Sequence, residues 1–163
     1  MIPLNVTHTC IFNSDIHRRL AFGPTYQPSA DADSHSPLAG VQAITPLRHT
    51  LSTLILFFAN TYRSTFGFEE GPPLHDALTV AYLSRPEIFS VKRYRVDVEL
   101  TGTHTAGETV VDSWNYRGLS DDDRWGVDGK NCLVAQSVDV SAFFDIFLAC
   151  VDKCDKFSPL NSQ

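Results

Sequence analysis

A change in the spacing of apolar residues at Pro86 constrains the fold of this chain more than any other feature. Before it, apolar and aromatic residues recur at intervals of three and four, as on one face of an α-helix: Leu47, Leu51, Leu54, Ile55, Phe58 and Tyr62. After it the interval is two, which predicts a strand with one solvent-exposed face: Tyr94, Val96, Val98 and Leu100 alternate with charged residues. A chain that combines both periods is predicted to contain both helices and strands.

The boundaries of the long helix are marked by its flanking residues. Thr45 is a suitable N-cap, Pro46 suits the first helical position, and Gly67 is typical of a helix end. A second, shorter helix is predicted from Asp76, and Pro86 stops it.

The remaining elements are predicted from shorter patterns. Residues 2–12 alternate well enough for a strand, and Asn13 is placed to cap a short helix after it. A turn-rich link at 101–107 predicts a β-hairpin, and residues 133–138 predict a further strand. An amphipathic helix is predicted to begin near Ser141.

Length and composition predict a single domain with one polar insertion. The chain has 163 residues, which is about one domain. Residues 21–40 are rich in Pro, Ser, Asp and His without a period, and we interpret them as a surface loop. The acidic run at 120–128 lacks the spacing of a calcium-binding loop and is interpreted as a solvated loop.

Charge and hydropathy exclude several classes of partner. The 13 Lys and Arg residues against 19 Asp and Glu give a net charge of −6, which disfavours nucleic acid and anionic membrane surfaces. No apolar run approaches the roughly 20 residues that span a bilayer. The first residues resemble no secretory signal, so a cytoplasmic location is expected.

The sequence Gly-Pro-Pro-Leu-His-Asp at 71–76 is the sharpest candidate for chemistry. Two prolines stiffen the backbone just before a helix begins, and this presents His75 and Asp76 at a defined place. An imidazole can give a proton to a departing nitrogen base, and a carboxylate can bind a hard cation such as calcium. The alternative is structural, with Asp76 capping the helix and His75 as an ordinary loop residue.

Aromatic residues on the long helix are a second candidate: Phe57, Phe58, Tyr62 and Phe66. Packing in the core is the ordinary interpretation of such residues. The alternative is a wall on which a base could stack.

Four segments of this chain, in this order and spacing, resemble the inosine-uridine-preferring nucleoside hydrolases. They are Pro-Leu-Asn-Val-Thr-His at 3–8, the segment at 62–76, Val-Asp-Val-Glu at 96–99, and Gly-Glu-Thr-Val-Val-Asp at 107–112. Within that family, the chain resembles the fungal-type uridine or purine ribohydrolases. The resemblance covers nearly the whole chain apart from the insertion.

This resemblance implies an enzyme that hydrolyses the N-glycosidic bond of ribonucleosides, with calcium holding the attacking water and the ribose hydroxyls. By the same resemblance, His75 matches the histidine that protonates the leaving base, and Asp76 matches a calcium-binding aspartate. Phe58 and Tyr62 match aromatic contacts to the base. The expected substrate is a uridine- or inosine-type nucleoside.

The chain also departs from the family. The Asp-Thr-Asp-Pro-Gly-x-Asp-Asp stretch that supplies most calcium ligands does not occur in it, nor does the segment that grips the ribose. The chain therefore resembles the C-terminal part of the family's α/β fold, without the N-terminal half. The resemblance implies a mixed and largely parallel sheet flanked by helices, with an antiparallel hairpin. The expected partners are that half or further copies of the chain. The alternative function is a non-catalytic remnant or a partner-binding fragment.

Overall fold

The computed structural model of the chain describes residues 1–27, 42–116 and 129–162. These residues divide into two compact units. One comprises Met1–Val6 and Phe89–Val138, and the other comprises Thr7–Ile88 and Asp139–Gln163. Most of the predicted insertion at 21–40 and all of the acidic run at 120–128 lie outside the described residues.

Helices make up the larger unit, and they begin at or within one residue of the predicted positions. They are α2 (Ser14–Phe22), α3 (Pro46–Phe66), α4 (Asp76–Ser84) and α5 (Val140–Asp155), with short 3-10 turns at Gly23–Thr25, Pro86–Ile88 and Pro159–Ser162. The predicted N-caps are confirmed, because Asn13 Oδ1 and Thr45 Oγ1 accept hydrogen bonds from the first turns of α2 and α3. In the described ranges, no helix is both long and apolar enough to cross a bilayer.

Strands make up most of the smaller unit. β1 (Phe89–Tyr94) pairs with β4 (Cys132–Val138), and β2 (Val96–Val98) pairs with β3 (Thr109–Val111). Both pairs are antiparallel, and the second is the predicted hairpin. Among the described residues there is no parallel pair. This part of the chain is therefore mixed α/β, but the prediction of a largely parallel sheet is not met in it.

The predicted strand at residues 2–12 is wrong. A single helical turn, α1 (Leu4–Thr7), occupies its middle, and only Ile11 makes an isolated bridge, to Pro73. The run begins with Pro3, which lacks an N–H for a ladder, and the carbonyl of Pro3 instead accepts a hydrogen bond from Val6.

The buried face of α3 differs from its apolar stripe. Its buried residues are Arg48, Ser52 and Ala59, whereas Phe57 and Phe58 are 67% and 53% exposed. The small side chains of Ser52 and Ala59 suit close packing of one helix on another. Phe66 is 64% exposed, so the expectation that the aromatic residues of α3 pack in the core is wrong for all three phenylalanines.

Arg48 ties α3 to α5 through an almost fully buried guanidinium. Its Nε donates to Asp155 Oδ2 at 2.8 Å and its NH2 donates to Asp152 Oδ1 at 2.6 Å, while its side chain is 2% exposed. NH1 donates to the carbonyl of Leu20 at 2.6 Å. Burial alone would raise the pKa of Asp155, but hydrogen bonds from Thr45, Arg48 and Asn161 outweigh it and hold that pKa below its ordinary value.

A buried histidine on α2 makes the stability of this unit depend on pH. His17 is fully buried against the ring of Phe12, and neither ring nitrogen has a hydrogen-bond partner among the described residues. Burial, and secondarily the charge of Arg18, lowers the pKa of His17 in the folded chain. Because the unfolded chain then binds the proton more readily, stability is unaffected above the unfolded pKa of about 6.5 and falls as the pH drops below it.

We expect the free energy of unfolding to fall below pH 6.5 with a contribution from His17 of at most about 1.4 kcal/mol per pH unit. His17→Gln removes this titration and makes the curve flatter, although His75, whose pKa is also lowered, leaves a residual slope of the same sign. Urea titrations between pH 5 and 8 measure the slope. The exposed His49→Gln serves as the control, and an unchanged slope for His17→Gln would contradict the assignment.

Candidate active site

The segment that leads into α4 is held by the chain that precedes α2. Phe12 N–H donates to the carbonyl of Pro72 at 2.9 Å, and Leu74 N–H donates to the carbonyl of Cys10 at 3.0 Å. A Cβ at Gly71 would lie 2.2 Å from the carbonyl oxygen of Phe12, so only glycine permits this approach. The geometry fixes the position of His75, directly before the first residue of α4.

Both ring nitrogens of His75 are hydrogen bonded. Nδ1 lies 2.8 Å from the hydroxyl of Thr7, and Nε2 lies 2.8 Å from the hydroxyl of Tyr62. Thr7 is buried at the end of α1 and Tyr62 lies in the last turns of α3, so residues far apart in the sequence hold one imidazole. Two fixed partners define the plane and the direction of the ring.

Further aromatic rings surround this imidazole. The ring of His8 meets that of His75 edge-on, with centroids 5.5 Å apart, and meets that of Phe68 at 5.2 Å. Tyr62 in turn contacts Phe66 and Phe68, at 5.4 and 5.6 Å. We call His8, Tyr62, Phe68 and His75 the ring cluster.

The surroundings of His75 lower the proton affinity of its imidazole. Burial lowers the pKa of the imidazole, and the neighbouring His8 lowers it further, while the charge of Asp76 acts in the opposite direction. A protonated His75 is therefore a stronger acid than a free histidine.

A cavity of about 270 Å³ opens beside the ring cluster. This is close to the roughly 300 Å³ at which ligand pockets begin. Its walls are mainly apolar and come from α3, the proline segment and the start of α4: Ile55, Phe58, Tyr62, Pro72, Pro73, Leu74, His75, Asp76 and Ala77. The structure thus brings together all four residues that the sequence predicted for the site: Phe58, Tyr62, His75 and Asp76.

Asp76 gives this cavity one carboxylate, which is exposed to solvent. Calcium takes six to eight oxygen ligands. In the described ranges no group of three or more His, Cys, Asp or Glu residues is arranged to hold a metal ion. The described residues therefore do not form a calcium site by themselves, and Asp76 is the one cavity residue that offers a carboxylate to such an ion.

The sequence pattern of the inosine-uridine preferring nucleoside hydrolases matches residues 1–145, most of the chain. The chain belongs to this family. The match includes the segments that carry Thr7, His8, Tyr62, His75 and Asp76. The cavity and the ring cluster of this nucleoside hydrolase chain therefore lie within the residues that the family pattern matches.

Curated relatives agree with this membership. A probable ribonucleoside hydrolase from Dictyostelium discoideum is 34% identical over 154 residues, which are 94% of this chain and 38% of the relative. A pyrimidine-specific ribonucleoside hydrolase from Shewanella woodyi is 34% identical over 113 residues, 67% of this chain and 32% of the relative. The chain thus spans about two fifths or less of the length of these relatives.

A solved structure confirms the fold. A purine-preferring ribonucleoside hydrolase from Gardnerella vaginalis superimposes with a TM-score of 0.67 over 97% of this nucleoside hydrolase chain and 40% of its own, at 23% identity. An inosine-guanosine nucleoside hydrolase gives a TM-score of 0.57 at 20% identity.

Sequence reasoning missed two residues of the site. Thr7 and His8 contact His75 directly, yet the sequence analysis gave neither a role. The available signal was their place in the Pro-Leu-Asn-Val-Thr-His segment that carries the family resemblance. The hydrogen bond between Thr7 and His75 joins residues 68 positions apart, which no local pattern predicts.

Proposed function

We propose that this chain carries the leaving-group side of a ribonucleoside hydrolase site, where the N-glycosidic bond of a uridine- or inosine-type nucleoside is cleaved to ribose and free base. The observation that carries the proposal is the hydrogen bond of 2.8 Å between Tyr62 and His75 Nε2 at the wall of the cavity. The apolar walls and the half-exposed ring of Phe58 suit the flat face of a base.

In this proposal the proton reaches the base through Tyr62. His75 Nε2 is hydrogen bonded to Tyr62, so a protonated His75 donates its Nε2–H to the phenol oxygen. The phenol O–H in turn donates to the base, at a ring nitrogen of a purine or at a carbonyl oxygen of uracil. As the C–N bond breaks, its electron pair stays with the base, which takes the phenol proton. Tyr62 then recovers a proton from His75, which becomes neutral.

Asp76 has a separate role in the proposal, as one ligand of a calcium ion. The ion, when bound, would hold the attacking water and the ribose hydroxyls, and its other ligands would come from outside the described residues. Support comes from the position of the Asp76 carboxylate at the cavity, next to His75 in sequence. This arrangement would place the sugar on the Asp76 side and the base on the Tyr62 side.

The alternative is that the chain alone is a non-catalytic or partner-binding fragment. Two observations favour inactivity in isolation: the described residues form no complete metal site, and the chain spans 38% of its relative from Dictyostelium discoideum. The partner that the proposal requires is the remaining part of a nucleoside hydrolase domain, on the same or another chain.

The test is a chimera in which this chain replaces the segment that it matches in the Dictyostelium discoideum relative. We expect the isolated chain with calcium to release no ribose from uridine or inosine, and the chimera to release it. Asp76→Asn in the chimera should raise the calcium concentration for half-maximal activity by at least about tenfold, since losing even an outer-shell partner costs 10- to 100-fold in affinity.

Reducing-sugar release at graded calcium concentrations provides the measurement. Asp145→Asn, a matched change at the exposed ion pair with Arg19, is the control and should leave the calcium requirement unchanged. A soluble chimera that hydrolyses neither nucleoside contradicts the proposed function. An unchanged calcium requirement for Asp76→Asn contradicts only the ligand assignment.

A further inference from the structure

The contact between Thr7 and His75 defines the orientation of the His75 ring. An imidazole ring can turn about its Cβ–Cγ bond, and a turn of half a revolution exchanges the sides on which its nitrogens lie. Only one of the two orientations places Nε2 at Tyr62 and the cavity. The hydrogen bond between Nδ1 and the Thr7 hydroxyl, at 2.8 Å, selects that orientation.

Thr7 is well placed to act as a fixed partner. It is 4% exposed, and its carbonyl accepts a hydrogen bond from Cys10 N–H at 3.1 Å, which anchors its backbone. The segment after it also pairs with the residues that lead into His75, through the carbonyls of Cys10 and Pro72. Backbone hydrogen bonds between their flanking segments therefore support the side-chain hydrogen bond between Thr7 and His75.

We infer that Thr7 is a positioning residue of this site, whose hydroxyl holds Nδ1 of His75 so that Nε2 remains at the hydroxyl of Tyr62. Thr7 lies on the far side of the imidazole from Tyr62 and does not line the cavity. It acts on the base only through His75. This inference rests on the proposed function for its purpose, but the hydrogen bonds that it concerns exist without turnover.

The first measurement uses the unmodified 163-residue chain with ¹⁵N-labelled histidine. The ¹⁵N chemical shifts of the His75 ring report whether each nitrogen is hydrogen bonded, and we expect both to be. A His75 spectrum with a free Nδ1 overturns the inference without any variant, whether or not the chain belongs to an active enzyme.

The second measurement compares Thr7→Val, which removes the hydroxyl and keeps the shape, with Thr7→Ser, which keeps the hydroxyl. We expect Thr7→Val to shift the Nδ1 signal towards that of a free nitrogen, and Thr7→Ser to preserve it. The exposed Thr53→Val on α3 is the matched control, because its hydroxyl donates to the carbonyl of His49 and does not contact His75. An unchanged Nδ1 signal in Thr7→Val, or equal loss in Thr7→Ser, overturns the inference.

In the chimera, Thr7→Val should lower kcat for inosine by about 10- to 100-fold with little change in KM, the usual cost of losing a partner that orients a reacting group. Thr7→Ser should restore most of that loss. A structural defect alone would lower the amount of folded enzyme and would not be repaired by serine. Failure of the chimera to act on nucleosides leaves the NMR result intact, so the two proposals fail separately.

Discussion

Replacing Arg48 by methionine is expected to lower the free energy of unfolding of the helical unit by about 3 kcal/mol. Methionine retains most of the volume but leaves Asp155 and Asp152 without their cation and the carbonyl of Leu20 without its donor. Breaking a buried ion pair on one side costs about 3–5 kcal/mol. The lower end applies because Asp152 is 32% exposed and can be hydrated.

Urea denaturation followed by the far-UV circular dichroism of the helices measures this change. Arg19→Met is the matched control, because Arg19 and Asp145 form an exposed pair whose loss costs about 0–1 kcal/mol. Arg48→Lys should fall between them, since a lysine keeps the charge but cannot bind both carboxylates in the forked geometry of a guanidinium. Equal costs for Arg48→Met and Arg19→Met would contradict a structural role of the buried network.

The long helix α3 shows both the success and the limit of prediction from sequence. Thr45, Pro46 and Gly67 place its ends correctly, because caps and helix-ending glycines act through local backbone geometry. Its buried face was not predictable. Arg48 is buried only because α5 brings two aspartates to it, and these lie more than 100 residues away in the chain.

The strand after Pro86 shows the same limit. Its alternation correctly predicted strands, but Val98 and Leu100, assigned to the apolar face, are 54% and 80% exposed. Alternation with a period of two indicates which residues share a face of a strand. It does not indicate whether another layer of the protein covers that face.

The residues of the candidate site could be predicted from the sequence, but the hydrogen bonds between them could not. The stiff Gly-Pro-Pro segment before a helix singled out His75 and Asp76, and the family resemblance added Phe58 and Tyr62. The cavity contains all four. The hydrogen bond between Tyr62 and His75 joins two separate elements, so a residue expected to stack on a base also contacts the ring that would supply the proton.

The second large effect concerns that proton. In the chimera, His75→Gln should slow the hydrolysis of inosine and uridine by about 10²- to 10⁴-fold, the usual contribution of general acid catalysis. Tyr62→Phe removes only the hydroxyl and should slow both substrates by a similar factor, because in the proposed route the proton passes through that oxygen. Tyr116→Phe is the control, since Tyr116 is 91% exposed and lies outside the cavity.

The most direct test compares two leaving groups in these same variants. Nitrophenolate departs as a stable anion without protonation, whereas a nucleobase needs a proton to leave readily. We therefore predict that His75→Gln and Tyr62→Phe lose most of their activity on inosine but keep that on p-nitrophenyl riboside, so that the ratio of the two kcat/KM values falls by about 10²-fold or more. Equal losses on both substrates would contradict a role for His75 and Tyr62 in protonating the base.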